Sequence, residues 1–577
     1  MVRIYFLLVI AFFVQKSFAQ TNIHFTKPTI QNVLEGNYNP DDYQASTVID
    51  LTKDIIESIN SNISTDSLQN YLTKLSEFGN RNTGSDTIST TFGIGASRRW
   101  VHQKFENFSA ANEDRLIPGY LQFDQVICTV DQHRNVVAVL PGSDVSDPSF
   151  ILIEGHMDSR CAEPCDGDCP AEGVEDNASG TALVIELARV MSQYTFEHTI
   201  VFMATIGEEQ GLFGANALAD HALNTNLSVK AVLNNDIVGG IICGETSSAP
   251  SCPGEGLVDS TQVRLFSLGS TSIHKNLSRF IKLEYKEELL DLVSVPMMLT
   301  IMSAEDRTGR GGDHIPFRQN GFAAMRFTSA HEHGDASNGP DYHDRQHTSG
   351  DILGVDTNGD NVIDSFFVDF NYLARNAVIN GAAAAAIASG PETPSFETEE
   401  FPGQIKVTID DPLDYDHYRI TLRSASIDWD TVFTIQNTNE LTFEKAGILN
   451  FVSVASVDEF GIESLFTSET QLIVTSTGTA DIQEEKLGPV TLFQNRPNPF
   501  DEATIISWNV NQDIDYKEAF LQISSLDGKV VKKIPVTMNQ GSNELLYEHG
   551  YGVLGTYVYA LVVDGKVVQS RKMVFAN

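Results

Sequence analysis

The sequence predicts an α/β domain on a mainly parallel mixed sheet with helices on both faces, followed by two all-β sandwich domains. Three observations carry this expectation. From about Val48 to Ala388 short apolar runs alternate with helical patterns, as strands separated by crossover helices do. A break bearing Gly390, Pro391 and Pro394 then ends that alternation. Beyond the break, apolar residues recur at period two in two stretches separated by a polar linker.

The first residues carry an export pattern over 1–19. Arg3 is the basic start, Ile4 to Val14 the apolar run and Ser17-Phe18-Ala19 the small-residue cleavage pattern. That run is too short to span a bilayer, which takes about twenty apolar residues, and no later stretch qualifies. A soluble, exported mature protein is expected, with residues 20–45 as a leader or pro-segment. The α/β domain is expected over 46–390. Leu68 to Phe78 and Ala96 to Phe108 read as amphipathic helices. Asn135 to Leu140, Phe150 to Glu154, Thr199 to Thr205, Lys230 to Asn234 and Phe322 to Phe327 read as buried strands. Thr181 to Met191 reads as a helix between strands, and the alanine-rich Tyr372 to Ala388 as the closing helix. Alternating runs such as Gln404 to Ile409, Tyr418 to Leu422 and Asn450 to Val457 make a β-module over 391–475. A linker at 476–488 follows, then a last β-domain over 489–577 with turn signals at Asp527-Gly528 and Asp564-Gly565.

Acids outnumber bases by 77 to 38 in 577 residues, a net charge of −39, or −41 once Arg3 and Lys16 are gone. Such a surface repels phosphate backbones and anionic membranes, which excludes a nucleic-acid binder. The six cysteines suit an oxidising compartment, and spacing alone does not choose among their pairings. Cys243 and Cys252 flank a Ser-, Pro- and Gly-rich loop and are the favoured pair. Cys161, Cys165 and Cys169 fit structural disulfides better than a metal site, because no His stands at finger-like spacing.

Metal-type residues fall where buried strands end, the rim at which such sheets bind ligands. Phe150 to Ile153 runs into Glu154-Gly155-His156-Met157-Asp158. Ile200 to Thr205 runs into Gly207-Glu208-Glu209, and Ala231 to Leu233 into Asn234-Asn235-Asp236. Glu175-Asp176-Asn177-Ala178-Ser179-Gly180 opens a helix, and His343 and His347 lie in a loop after Phe327. Each of these alone has a plain structural explanation, as a satisfied histidine, a helix cap or a solvated acid. Their joint placement at successive strand ends does not. A hydrolytic metal pair needs imidazole and carboxylate ligands, one shared carboxylate and a free base. His156 can ligate while Asp158 orients its ring; Asp176 can bridge; of Glu208 and Glu209 one can ligate while the other acts as base.

These motifs, with Glu208-Glu209-Gln210-Gly211-Leu212-Phe213-Gly214 and Gly312-Asp313-His314-Ile315-Pro316-Phe317, resemble the secreted di-zinc aminopeptidases of the bacterial leucine aminopeptidase type. Glutaminyl cyclase and glutamate carboxypeptidase are more distant relatives. The resemblance implies a zinc-peptidase fold and two Zn2+ per chain. His156 and Asp236 would hold one ion, Glu209 and His347 the other, with Asp176 shared. Glu208 would be the general base for an activated water attacking a peptide carbonyl. For the late ligand the family pattern of His, three residues, then Asp favours His347, with Asp351, over His343. Some members carry a tyrosine directly before this histidine; Gln346 stands there, and Tyr342 is the nearby candidate to stabilise the oxyanion. Asp313-His314 recurs near the pocket, in a structural or substrate-contacting role.

Asp356, Asn358, Asp360 and Asp364 have the spacing of a calcium loop, although the loop lacks Gly at position six and has Phe367 where a bidentate Glu would stand. The 391–475 module is close to a fibronectin type III module in length and reads as a spacer or a binding unit. The last 89 residues carry Phe493-Gln494-Asn495-Arg496-Pro497-Asn498-Pro499-Phe500, Ser525-Leu526-Asp527-Gly528-Lys529-Val530 and Gly555-Thr556-Tyr557. They resemble the C-terminal sorting domain of the type IX secretion system, which implies that machinery as a partner and a secreted or outer-surface location reached through the periplasm. Peptides are the expected substrates. The rivals are a carboxypeptidase, dipeptidase or glutaminyl-cyclase-like enzyme, and a non-enzymatic adhesin.

Overall fold

The computed structural model describes residues 20–242, 257–306, 310–330, 345–401, 404–413, 415–444, 449–473, 490–496, 498–500, 503–512, 514–526, 528–549 and 555–575. The export pattern at 1–19, Cys243, Cys252, Tyr342 and His343 lie outside these residues. In chain order the first domain contains β1 (Thr21–Phe25), α1 (Pro28–Leu34), α2 (Thr52–Asn62), α3 (Thr65–Ser76), α4 (Gly93–Ala111), β2 (Ile117–Ile127), β3 (Val130–Leu140), β4 (Phe150–His156), α5 (Ser179–Met191), β5 (Thr199–Thr205), α6 (Phe213–Thr225), β6 (Val229–Asn235), β7 (Gln262–Phe266), α7 (Ile273–Glu284), β8 (Met298–Ile301), α8 (His314–Gln319), β9 (Ala324–Ser329) and α9 (Phe370–Ser389).

The nine strands form one mixed sheet in the order β1-β2-β3-β5-β4-β6-β9-β7-β8. Its centre, β5-β4-β6-β9, is parallel. Antiparallel β3 flanks it on one side and antiparallel β7 on the other. Every residue of β4 and β5 is buried, which explains their unbroken apolar sequences. From β4 the chain steps through α5 to β5, then returns through α6 past β4 to β6. Right-handed crossovers put α5 and α6 on opposite faces. The carboxyl end of β4 is thus the point where strand order reverses and a crevice opens.

Helix α5 is buried almost all round, packed against β4, β5 and α9. It approaches the sheet closely through glycine: a Cβ on Gly180 would lie 2.0 Å from the Asn235 carbonyl oxygen. Helix α9 starts at Asp369, whose carboxylate accepts the Tyr372 amide at 2.7 Å. Its alanines and Gly381 let α2 and α5 pack against it.

Four strands of the sheet were not expected. β1 is a mostly exposed edge strand with little apolar signal. β2 opens on Ile117-Pro118-Gly119, which reads as a turn. β7 buries Arg264, whose guanidinium donates to the Ser329 carbonyl on β9 at 2.7 Å, and β8 has only four residues. Residues 20–45 also join the domain: β1 pairs with β2, and Ile30, Val33 and Leu34 are in the core.

The expectation that Cys161, Cys165 and Cys169 serve structural disulfides rather than a metal is met, while the favoured pair Cys243 and Cys252 lies outside the described residues. The disulfides are Cys128–Cys165 and Cys161–Cys169, so Cys161, Cys165 and Cys169 are committed to sulfur and are not metal ligands. The two links interleave and tie loop 161–169 to the turn between β2 and β3.

Residues 395–473 form antiparallel sheets of three and four strands, ordered Ser395–Phe401, Gln404–Asp410, Glu440–Glu444 and Thr431–Gln436, His417–Arg423, Leu449–Val457, Thr470–Ile473. Residues 490–575 form another three- and four-stranded antiparallel pair. There Phe500 packs on Tyr547 and Phe575, and the Asn498 side chain accepts the Val574 amide. Among the described residues no helix is long and apolar enough to cross a membrane.

Candidate metal centre

The carboxyl ends of the central parallel strands gather the acids and imidazoles. β4 ends on His156; β5 leads into Glu208 and Glu209; β6 leads into Asp236. Asp176 lies in the turn before α5. Its amide and that of Glu175 are held at 2.9 and 2.8 Å by the two carboxylate oxygens of Asp351. Asp351, the acid whose spacing singled out His347, thus supports the backbone of the shared acid.

The Asp176 carboxylate stands between the two histidines. One oxygen is 3.2 Å from His156 Nε2 and the other 3.1 Å from His347 Nε2. Asp236 Oδ1 lies 3.6 Å from His156 Nε2, and Glu209 Oε2 lies 3.1 Å from His347 Nε2. Each imidazole thus faces one oxygen of Asp176 and one further acid. Glu208 Oε2 lies at the outer edge, 4.0 Å from His156 Nε2. All five expected ligands and the expected base are brought together. The ligand atoms of His156, Asp176 and Glu209 lie within 4.8 Å of one another, as do those of His156, Glu208 and Asp236. The 3.1 Å contacts of His347 show it to be the nearer partner of Glu209, so the division into two sets follows the shorter distances.

Two imidazole nitrogens and three carboxylates form a donor set suited to zinc. Nε2 of His156 and Oε1 of Glu209 are buried without a well-formed hydrogen bond, as ligand atoms aimed at a cation are. The electrostatics agree with that fit. Burial would raise the Asp176 carboxyl, yet His156 and His347 hold it well below the usual carboxylate range. Burial would lower both imidazoles. Glu208 and Asp236 nonetheless raise His156 well above its ordinary value, and Glu209 and Asp176 raise His347 to about 9. Burial pushes Glu208 well above the carboxylate range, aided by Asp236 and Glu209. Asp236 is held low, against burial, by Arg326, whose guanidinium lies 3.3 Å from Oδ2.

Asp158 is fully buried behind the centre. His156 Nδ1 is hydrogen-bonded to the Asp158 backbone carbonyl at 3.1 Å, which fixes the ring, and the Asp158 carboxylate lies 3.7 Å from the same nitrogen. The carboxylate also accepts the Glu208 and Glu209 amides at 3.4 and 3.3 Å and the Thr83 hydroxyl at 3.1 Å. Burial raises it to about 6. Asp313 accepts the Thr205 hydroxyl, and His314 Nε2 lies 3.1 Å from the Glu305 carbonyl. Neither lines the pocket in front of the centre.

That pocket has a volume of about 420 Å3. Asp176, Glu208, Glu209, Asp236 and His347 form one part of its wall, Gln210 to Leu212 another, and Arg160, Arg310 and Gln346 a third. Sequence reasoning missed Arg160, Arg310, Thr83 and the supporting role of Asp351, which come from loops and carry no motif of their own.

The calcium-loop residues behave differently. Asp356 accepts the amides of Asn358, Gly359 and Asn361. Asn358 and Asp360 each accept an amide two residues on, and Asp364 accepts that of Thr357. Among the described residues, the groups of three acids or histidines that converge both contain His156, and none lies at 356–364.

The sequence profile of peptidase family M28 matches residues 135–247. A probable zinc metalloprotease of Pyrenophora tritici-repentis is 32% identical over 356 residues, covering 59% of this chain and 78% of its own length. One from Phaeosphaeria nodorum is 30% identical over 427 residues, covering 68% of this chain and 82% of its own. Among solved structures, the LapA aminopeptidase of Legionella pneumophila is 20% identical with a TM-score of 0.43, covering 60% of this chain and 78% of that one.

Proposed function

Because the chain belongs to peptidase family M28 and is a zinc metallopeptidase, we propose that it is an exported aminopeptidase that releases residues from the free amino ends of peptides, with two Zn2+ per chain. The observation that carries the two-ion reading is the division of the Asp176 carboxylate, one oxygen toward each histidine. His156 and Asp236 would hold one ion, His347 and Glu209 the other, with Asp176 between them. When bound, the pair supplies a water acidic enough to lose its proton near neutral pH and polarises the scissile carbonyl. Glu208, at the outer edge of the centre, would take that proton and return it to the leaving amine. Asp158 keeps the His156 ring and the Glu208–Glu209 backbone in register. A pocket of this size suits the end of a peptide.

Export rests on the pattern at 1–19 and on the two disulfides, which suit an oxidising compartment. The tail motifs favour the type IX machinery as carrier, and the three- and four-stranded sheets of 395–473 are compatible with a fibronectin type III-like module. The test uses the purified mature protein on matched free and N-acetylated peptides, with and without a zinc chelator. Cleavage limited to unblocked amino ends and abolished by chelation is the expected result. Equal cleavage of acetylated peptides overturns the aminopeptidase reading.

A further inference from the structure

Arg160 is the feature of the pocket that the proposed chemistry leaves unused. It follows Asp158-Ser159 directly, and Ser159 is pinned by donating to the Ala171 carbonyl at 2.7 Å and accepting the Arg81 amide at 3.1 Å. Cys161, the next residue, is bonded to Cys169. Pro164 of the same loop accepts the Gln210 side chain at 2.8 Å, which locks the loop to the Glu208–Gln210 segment. The guanidinium is therefore delivered to the pocket by a rigid support. Its Nε lies 2.9 Å from Glu209 Oε2 and one terminal nitrogen 2.6 Å from His347 Nδ1. Arg310, from the segment before α8, brings a second guanidinium to the same wall, 3.0 Å from His347 Nδ1.

A guanidinium keeps its charge at any working pH and matches a carboxylate in a two-point fork. Arg160 is anchored on Glu209 through Nε and lines the pocket beside the ligands, so its guanidinium stands as a fixed positive charge on the wall that a substrate would meet.

We infer that Arg160 is a specificity-determining residue that takes a carboxylate of the substrate, selecting peptides that present an acid close to the cleaved bond. The inference deepens the aminopeptidase reading and rests on it. A carboxylate reaches this wall either as the C-terminus of a dipeptide or as an acidic side chain. The experiment separates these two sources. Leu-Gly is compared with Leu-Gly-amide, and Glu-Gly-amide with Gln-Gly-amide, on the zinc-loaded protein and on Arg160→Gln, with Arg160→Lys as the conservative variant. The wild type is expected to favour the carboxylate member of one pair by at least about tenfold in kcat/KM, mainly through KM. Arg160→Gln is expected to erase that ratio and Arg160→Lys to restore part of it, with zinc content unchanged. Calorimetric titration of the same pairs into Glu208→Gln, with and without Arg160→Gln, reads the preference without turnover. A ratio near one in both pairs, or a preference that survives Arg160→Gln, overturns the assignment. Absence of turnover on every unblocked substrate, with carboxylate-selective binding that depends on Arg160, overturns the aminopeptidase reading and leaves the subsite standing.

Discussion

Two places in this molecule bury several carboxylates together, and they differ in what faces them. At the rim of the sheet, Asp176, Asp236 and Glu209 converge on two imidazoles. Where α7 meets the 395–473 module, Glu469 is clasped by Arg423 at 2.9 and 2.5 Å and approached by Arg279 at 3.3 Å. Nearby Arg419 reaches Glu463 at 3.3 Å and Glu287 at 2.9 Å. Arginine supplies fixed charge and no lone pair, so an acid that faces arginine without an imidazole is spent on structure, whereas Asp236 and Glu209 each face an arginine and a histidine. Histidine supplies a lone pair, so acids facing it form a donor set for a cation. The partner, more than the acid, distinguishes a joint from a reaction centre.

Substitutions at the two places break or sharpen that contrast. The largest expected effect is at Asp176. Asp176→Ala removes the carboxylate shared by both sets, so elemental analysis should find both zinc ions weakened and turnover gone. Glu208→Gln, by contrast, should keep two zinc ions while kcat falls by about a thousandfold; full turnover in this variant would refute the base assignment. At the joint, Glu469→Ala strands Arg423 and Arg279 in the interior and should cost about 3–5 kcal/mol in denaturant unfolding. Zinc content of the remaining folded protein should be unaltered. Loss of zinc there would erase the distinction between the two places.

The smallest effect is a pH dependence. Burial raises Glu463 from 4.5 to about 7, with Arg419 opposing. The folded chain therefore holds that proton over a range where the unfolded chain has released it. Stability should fall as pH rises from about 4.5 to about 7. Glu463→Gln should flatten that slope in melting curves and raise the melting temperature at pH 8 by a few degrees. An unchanged slope would show that the acid is not strained in this joint.

How far these places were legible in the sequence follows from how each is built. The reaction centre hangs on strand ends: the apolar runs of β4, β5 and β6 point to their own termini, and His156, Glu208, Glu209 and Asp236 stand directly after them. Asp176 and His347 needed the resemblance as well, because turn and loop residues have no periodicity to place them. Arg160, Arg310 and Asp351 act through the folded path of loops, which local sequence does not encode. β7 went unread because Arg264 breaks its apolar pattern, and only the packed structure supplies the Ser329 carbonyl that lets an arginine lie inside a sheet. The joint was invisible for a similar reason. Its arginines sit in α7 and in the strand His417–Arg423, and its glutamates just after α7 and in the connection before Thr470–Ile473, where they look like ordinary solvated residues until the two units meet.

The crossed sulfur links have a practical corollary for making the protein. Residues 161–169 contribute almost nothing to the main core; Cys128–Cys165 and Cys161–Cys169 fix their course together with hydrogen bonds from the side chains of Asn80, Asn82 and Gln210. A host whose cytosol keeps thiols reduced would yield chains with an intact sheet and both imidazoles in place, but with the strap beside the pocket unbuckled. Such material would pass a folding check and a metal assay while misreporting which peptides the enzyme prefers, so the oxidation state of four sulfurs belongs beside every specificity measurement.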